Sequence, residues 1–594
     1  MRGVVGAGTL ATGFRCDFGQ RTTTIFQQAT ARLRYFTMAT MVEEAMPTAT
    51  TAPKKAKLHG RAFYESIGSP KYMLAPMVDQ SEFAWRMLSR SFMPERHKRA
   101  ILAYTPMFHA RLFSETQKYR DQHFQPTHPT TGAAWLDGNP AIDRPLFVQF
   151  CANDPQHLLS AAKKVEAYCD AVDLNLGCPQ GIAKKGKYGS FLQEDQELIF
   201  RLINTLHENL DIPVTAKIRI LDTKEATLAY AQNVLRAGAS ILTVHGRRRE
   251  QKGHLTGLAD WQMIRFLRDN LPKETVLFAN GNILEYDDIE RCLEATGADG
   301  VMSAEGNLSN PGIFAPHPPV GEEPVDYWRG KDGKGGWRVD AVFRRYLDIL
   351  HEYVRGEKPP ARRPLFVPGM DIKWLEEDPV VIPATGASSD RKKSDVTSPN
   401  YSALQAHMFH LLRHFVSKHH DVRDALARAR LGEIEQFEAI YRLVERKVAE
   451  GLLEYERTDG KCVEDPEAEA KLRQQAEEDP ETSAPAVLQC KRPWWVVQPI
   501  IRPLPKEAMV KGAVQLSKKD KKRMAAAAEA AGKEGETNGD AKRVKGDNGL
   551  KVDAAANSTV QNGDAAAVDV PPVAAATEDL EKKTAFQSSE LVSG

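Results

Sequence analysis

No run of about 18 apolar residues occurs in the 594-residue sequence, so no membrane-spanning helix and no membrane partner are expected. Cysteine is scarce and scattered. The seven cysteines stand at 16, 151, 169, 178, 292, 462 and 490, with no CxxC pair among them. That excludes a disulfide framework and a zinc finger, and it fits a reducing compartment. Excess charge is also lacking: 80 Lys and Arg face 79 Asp and Glu. Bulk charge therefore selects no partner, and only local clusters can attract a nucleic acid. No GxGxxG follows the first apolar run, which argues against a dinucleotide-binding open sheet. His407, His410 and His414 can share a helix face, but no carboxylate accompanies them and no metal site is expected.

The sequence does contain a regular alternation. Eight short apolar runs, at 72–78, 101–106, 146–151, 171–176, 214–218, 241–245, 276–279 and 300–303, are separated mostly by segments of helical period such as 155–168, 225–237, 261–270 and 286–295. Strands alternating with helices over some 250 residues predict an α/β protein with a parallel (β/α)8 barrel. The centre of the pattern is Asp173-Leu174-Asn175-Leu176-Gly177-Cys178-Pro179, followed by a glycine-rich loop that carries Lys184, Lys185 and Lys187. A cysteine at such a strand tip is either a small buried hydrophobe or a thiol acting as nucleophile or acid. Polar groups close seven of the eight runs, including Gln149, Asn175, Lys217 with Arg219, His245, and Asn280-Gly281-Asn282. Barrel strand tips converge on one pocket, so these residues are expected to meet.

The flanks read differently. Residues 1–58 hold Arg2, Arg15, Arg21, Arg32 and Arg34, with Asp17 the only acid before Glu43. This is the profile of a mitochondrial transit peptide; the rival reading is untranslated sequence with Met38 or Met41 as the start. The barrel is assigned to 59–320, and 321–336 reads as a linker or long loop. Residues 336–457 read as a smaller all-helical domain with a Pro-rich insertion at 358–398, and its helix 434–451 is expected to end at Gly451. Its local basic content, with His407, His410, Arg413, His414, Lys418, His419, His420, Arg423, Arg428 and Arg430, is either a solvated face or a surface for RNA. Residues 458–505 form an extension whose Trp494-Trp495-Val496-Val497 is too apolar for water, so it should pack on the body. Residues 506–594 are low in complexity and expected to be disordered.

Taken together, the motifs resemble the tRNA-dihydrouridine synthases. The resemblance rests on Met73-Leu74-Ala75-Pro76-Met77-Val78-Asp79-Gln80-Ser81, Tyr104-Thr105-Pro106-Met107, Val148-Gln149-Phe150-Cys151, the 173–192 run, Ala216-Lys217-Ile218-Arg219, Val244-His245-Gly246-Arg247, Ala279-Asn280-Gly281-Asn282-Ile283 and 300–311. It is nearest the eukaryotic branch that acts on D-loop positions sixteen and seventeen, strong over 72–314 and loose over the helical domain. It implies an FMN-dependent oxidoreductase that reduces the C5=C6 bond of uridine in tRNA, with NADPH or NADH as reductant and no obligate protein partner. It implies a cytoplasmic or nuclear enzyme, with mitochondrial targeting if the leader is used. Pro76, Met77, Val78, Gln149, Lys217, His245, Asn280, Gly281, Asn282, Ala304 and Glu305 would contact FMN. Cys178 would be the catalytic acid, and Asn175, Lys184, Lys185, Lys187 and Arg247 would face the substrate. Where many members have Gly-Arg, this chain has Ala304-Glu305. A carboxylate cannot pair with a phosphate, so backbone N–H groups are expected to hold it, with the Glu305 side chain turned away.

The chemistry agrees with the residue types. Reducing uracil takes a hydride that no side chain supplies, hence a flavin, and a proton that a thiol can give. The loop lysines are expected to serve tRNA phosphates rather than the sulfur. Lys217 suits the N1–O2 edge of the flavin, where charge collects on reduction, and His245 suits either the ring or the phosphate. The rival reading is an FMN barrel dehydrogenase acting on a free pyrimidine or another small molecule, and a third is a non-catalytic RNA-binding protein with a relic barrel.

Overall fold

The fold was established from a computed structural model, which describes residues 57–377, 380, 398–430, 432–479 and 481–510. The leader up to residue 56, most of 378–397 and everything after 510 lie outside the described residues.

Eight parallel strands close on themselves: β1 Tyr72–Leu74, β2 Ile101–Tyr104, β3 Leu146–Cys151, β4 Ala171–Leu176, β5 Val214–Arg219, β6 Ala239–His245, β7 Val276–Asn280 and β8 Gly300–Ser303. Each pairs with the next, and β8 pairs back onto β1 through Tyr72↔Val301 and Leu74↔Ser303. A two-residue strand, Phe108–His109, extends the edge of β3. The first strand is shorter than its apolar run because Pro76 has no N–H to continue the ladder; the last bond is from Ala75 N to Ser303 O at 3.1 Å. Almost every strand residue is buried, as a sheet covered on both faces requires. Inside the barrel, Tyr104 approaches Thr243 across the lumen, hydroxyl to hydroxyl at 3.4 Å.

The outer helices start where short polar side chains cap them. Asp154 accepts from His157 N, Asp195 from Leu198 N, Thr223 from Ala226 N, and Asp260 from Met263 N, at 2.8 to 3.1 Å. Helix Gly60–Ser66 covers the bottom of the barrel, with Tyr64 buried and bonded to Pro70 O and Asp299 O. The top, where the strands end, is left to the loops.

The expected linker at 321–336 is partly a hairpin, Tyr327–Arg329 against Gly335–Trp337. Helices Val339–Ile349, Pro399–Leu411, His420–Arg428 and Ile434–Arg457 then form the helical region against one side of the barrel. Glu82, at the start of barrel helix Phe83–Ser91, fastens the two together. Its carboxylate accepts from Tyr346 Oη at 2.8 Å and bonds His407 Nε2 at 3.0 Å, while the His407 ring stacks on Trp85 at 3.9 Å. His407 is therefore a core residue, and His410, His414 and His419 are also half-buried. The histidines do not form an outward cationic face, whereas Arg413, Lys418, His420, Arg428 and Arg430 are exposed. Among the described residues, no group of His, Cys, Asp and Glu is arranged to hold a metal, and no helix is long and apolar enough to cross a membrane.

Gly451 does not end its helix, which runs on to Arg457. A Cβ there would meet Trp494 at 2.6 Å and Trp495 at 2.9 Å, so the glycine marks a close approach and not a stop. In the extension, Trp495 is buried, its carbonyl accepts from Val339 N, and Val497 N bonds Trp337 O. Earlier in the extension a helix spans Pro466–Glu478, and residues 506–510, assigned to the tail, complete a helix, Pro505–Val510.

Candidate active site

The barrel's register sets the site. It places Gln149 beside Asp173, Asn175 beside Lys217, Arg219 beside His245, and His245 beside Asn280, all near the carboxyl ends of the strands. Four of the expected cofactor residues and Asn175 thus share one rim. A buried polar chain runs through it. Thr215 Oγ1 donates to Asp173 Oδ1 at 2.6 Å, Gln149 Nε2 to Asp173 Oδ2 at 2.8 Å, and Asn175 Nδ2 to Gln149 Oε1 at 2.8 Å. Burial pushes the Asp173 carboxyl up to about 6. The turn that follows Pro76 is held at Met77, whose N–H bonds Ser81 Oγ at 3.0 Å, with Val78 half-buried beside it.

Asn175 also fixes the cysteine. Its Oδ1 accepts from Gly177 N at 3.1 Å and Cys178 N at 2.9 Å. From the other side, Ser190 N and Oγ both bond the Cys178 carbonyl, at 3.1 and 2.9 Å. Gly189, at φ +63°, lies so close that a Cβ would stand 2.8 Å from that carbonyl. Cys178 is half-buried, and burial pushes its thiol above the ordinary value; a backbone hydrogen bond from Gln180 and the charges of Arg219, Lys217 and Lys252 pull the other way without prevailing. The three loop lysines are not among those charges. The loop folds as a short helix, Gly181–Gly186, with Lys184 and Lys185 exposed on it and Lys187 exposed at its left-handed end, φ +52°.

Beside the thiol the rim is crowded with cations. Burial and the neighbouring Arg219 bring Lys217 down to about 7. Burial and Arg247 bring Arg219 down to about 9. Arg219 is tied by Nε to Gly177 O at 2.7 Å. Arg247 donates to His245 Nε2 at 3.1 Å, to Asn282 Oδ1 at 2.9 Å and to Gly257 O at 3.0 Å. It thus stands with the expected cofactor residues. Burial and these cations keep His245 neutral; with Nε2 accepting, its proton sits on Nδ1.

Lys217 stands earlier on β5, beside Asn175, and Arg219, His245 and Arg247 line a cavity together with the 280–284 turn and the 302–306 turn. Two buried polar atoms of its wall, His245 Nδ1 and Asn280 Oδ1, have no hydrogen-bond partner among the described residues. Gly281 and Gly306 keep the wall thin, since a Cβ would fall 2.6 Å from Ala259 Cβ and 2.2 Å from Ile283 O. A cationic lining, an orphaned donor, an orphaned acceptor and a glycine cradle fit a flat polar ring system that carries an anionic group. Glu305 is not turned away. Its carboxylate meets Arg502, with Arg502 Nη2 to Oε1 at 2.6 Å, and it lies near enough to Arg247 to oppose in part the burial that brings that arginine down to about 10. From sequence, Arg502, Asp173, Ser190 and Lys252 carry no expected role, and Arg219 has only a place at a strand end. For Arg502 the signal was present in the lone Glu305, a buried-site carboxylate that calls for a cation.

A closed parallel barrel with a strand-tip thiol and a cationic cavity at the strand ends defines a (β/α)8 enzyme with a site for an anionic ligand. Residues 73–329 match the family model described as dihydrouridine synthase (Dus). The chain is 49% identical over 387 residues to the tRNA-dihydrouridine(16/17) synthase [NAD(P)(+)] of Saccharomyces cerevisiae, covering 65% of this chain and 75% of that one. It is 44% identical over 450 residues to the enzyme of the same name from Schizosaccharomyces pombe, covering 75% and 92%. A protein of Rattus norvegicus named as like that synthase is 36% identical over 78% of this chain and 81% of its own length. This chain belongs to the dihydrouridine synthase family.

Proposed function

We propose that this chain reduces the C5=C6 bond of uridine in the D-loop of tRNA, at positions 16 and 17, to 5,6-dihydrouridine, using FMN and a reduced nicotinamide dinucleotide, NADPH or NADH. The positions and the cosubstrate are those in the names of the two yeast relatives. The observation that carries the reading is Cys178: a half-buried thiol at the tip of β4, its backbone pinned on both sides, next to Gly177, whose carbonyl is bonded by Arg219 of the cationic cavity.

Bound in the cavity, a reduced flavin supplies the hydride for C6. The residues of the chain do the rest. Lys217 and His245 would meet the ring, Lys217 placing positive charge where the ring gathers electrons and His245 offering Nδ1–H. Asn280 offers its free carbonyl, and Gln149 is oriented by Asp173. Pro76, Met77 and Val78 would meet the ring from the end of β1. Cys178 holds the proton for C5, and its raised pKa keeps it protonated at neutral pH. Asn175 positions it, and would sit at the interface between ring and uracil.

A stacked uridine is out of reach, so the base must leave its stack to enter. Backbone phosphates then choose the uridine. The exposed Lys184, Lys185 and Lys187 would meet those phosphates, and the helical region, 336–457, offers Arg413, Lys418, His420, Arg428 and Arg430. The acting compartment is the cytoplasm or nucleus.

The decisive experiment is mass spectrometry of nucleosides from tRNA lacking dihydrouridine, after incubation with the purified chain and either NADPH or NADH. Uridines in the D-loop gain two hydrogens, and free uridine and orotate stay unchanged. Turnover of the free pyrimidines with tRNA unaltered would move the assignment to a small-molecule dehydrogenase.

A further inference from the structure

The extension does more than pack. Residues 481–510 leave the body, return over the cavity and are pinned at both ends by one carboxylate. Glu507 accepts from Ser483 N at 3.0 Å, Ser483 Oγ at 2.9 Å and Leu504 N at 2.6 Å. Between these points, Arg492 pairs with Glu285 at 3.0 Å, buried Trp495 packs on Trp328 of the hairpin, and half-buried Trp494 packs on Phe415 and His419 of the helical region. The strand of chain from Ile500 to Leu504 then forms a wall of the cavity, together with Thr482, Ser483 and Ala486. It carries one charged side chain into that wall, Arg502.

Charge is unbalanced there. The charged residues lining the cavity are Arg219, Arg247, Arg502 and Glu305. Three guanidiniums against one carboxylate leave two positive charges, close to the charge of a phosphate monoester near neutral pH, about −1.5 to −2. Glu305 occupies only Nε and Nη2 of Arg502, at 3.1 and 2.6 Å; Nη1 has no hydrogen-bond partner among the described residues. The side chain is about one-third exposed, so it can adjust as a ligand arrives.

We propose that residues 481–510 form a strap that completes the cofactor site, and that Arg502, held in place by Glu305, binds the phosphate monoester of FMN. This rests on the flavin reading above and deepens it: the phosphate corner is built by two segments 197 positions apart, the barrel turn supplying the carboxylate and the strap supplying the cation. Glu305 is the positioning residue. A phosphate diester of tRNA, with a single charge, would leave the excess only half met.

The test uses the full chain freed of its flavin, titrated with FMN and with riboflavin, which lacks the phosphate, while flavin fluorescence is followed. Wild type takes FMN more tightly than riboflavin. Arg502→Ala weakens FMN by about ten- to a hundredfold, the loss expected of a charge-assisted hydrogen bond, and leaves riboflavin unchanged. Adding Glu305→Arg to Arg502→Ala, which offers a guanidinium from the barrel side, restores much of the FMN affinity. Affinity for tRNA and the KM for the nicotinamide cosubstrate do not move. An Arg502→Ala protein that binds FMN within about twofold of wild type overturns the proposal, as does an equal loss for both flavins, which would mean that the strap merely loosened. Arg502→Gln, of similar length, repeats the comparison if the alanine variant melts early. Wild type that binds both flavins equally removes the phosphate corner but leaves the flavin site standing; wild type that binds neither removes both.

Discussion

The side-chain oxygen of Asn175 accepts the backbone N–H of Cys178 at 2.9 Å. The same side chain donates to Gln149, which is itself held by Asp173. The position of the thiol is thus set by a polar chain that begins inside the barrel, at Thr215. The turn carrying the cysteine is part of the rigid body and not a free loop.

Asn175→Ala removes three hydrogen bonds at once. We expect product formation in a single turnover to fall by about 10²-fold, the usual effect of a misplaced reacting group, with a stability loss of about 1–3 kcal/mol for the buried partners left unpaired. Asn175→Asp keeps the acceptor for Cys178 N but cannot donate to Gln149, and should fall between. Equal rates in all three proteins would detach Asn175 from the thiol's placement.

Cys178→Ala should keep flavin absorbance and tRNA binding and lose dihydrouridine. The acid acts only when protonated, and burial raises its pKa. The rate should therefore stay flat through neutral pH and fall only above the range of a free thiol, about 8.5. A rate that declines from neutral pH upward would point to another acid.

Lys217 gives a separate signal. Its amine stands near 7 in the ligand-free chain. An anionic ligand favours the charged form, so binding raises the pKa and takes up a proton. Flavin affinity should weaken as pH rises through that value. Calorimetry in buffers of different ionisation enthalpy should show proton uptake, lost in Lys217→Met. No buffer dependence in the wild type would mean that Lys217 does not change charge on binding.

Gly451→Ala tests the seat of the strap. Helix propensity alone predicts a gain of about 1 kcal/mol. The contact with Trp494 and Trp495 predicts a loss of about 1–3 kcal/mol from overpacking, and we expect the loss to win, with faster proteolysis within 481–510. A higher melting temperature would show that the Trp pair can retreat.

The eight strands were legible because each is a short apolar run between turn signals, and buried parallel strands leave that mark. The thiol, the rim residues and the seating of the Trp pair could be named for the same reason: they end strands or are too apolar for water. Three things were hidden. Gly451 looks like a helix stop, because a glycine needed for close approach and one needed for a cap read alike. The histidines 407, 410, 414 and 419 read as a basic face, because composition does not say which way a helix is turned; only the meeting with Glu82 and Trp85 places His407 inside. Arg502 lay outside every motif, since its meaning comes from a neighbour distant in the chain.

That distance has a bearing on biosynthesis. The barrel strands have all left the ribosome well before Arg502 does, and the carboxylate at 305 waits 197 positions for its counter-charge. Contacts of such separation form late. A nascent or prematurely terminated product would have a closed barrel and an intact thiol with its phosphate corner unfinished, so shortened chains should accumulate as colourless protein, and prosthetic-group loading becomes a check that translation reached the far end of the fold.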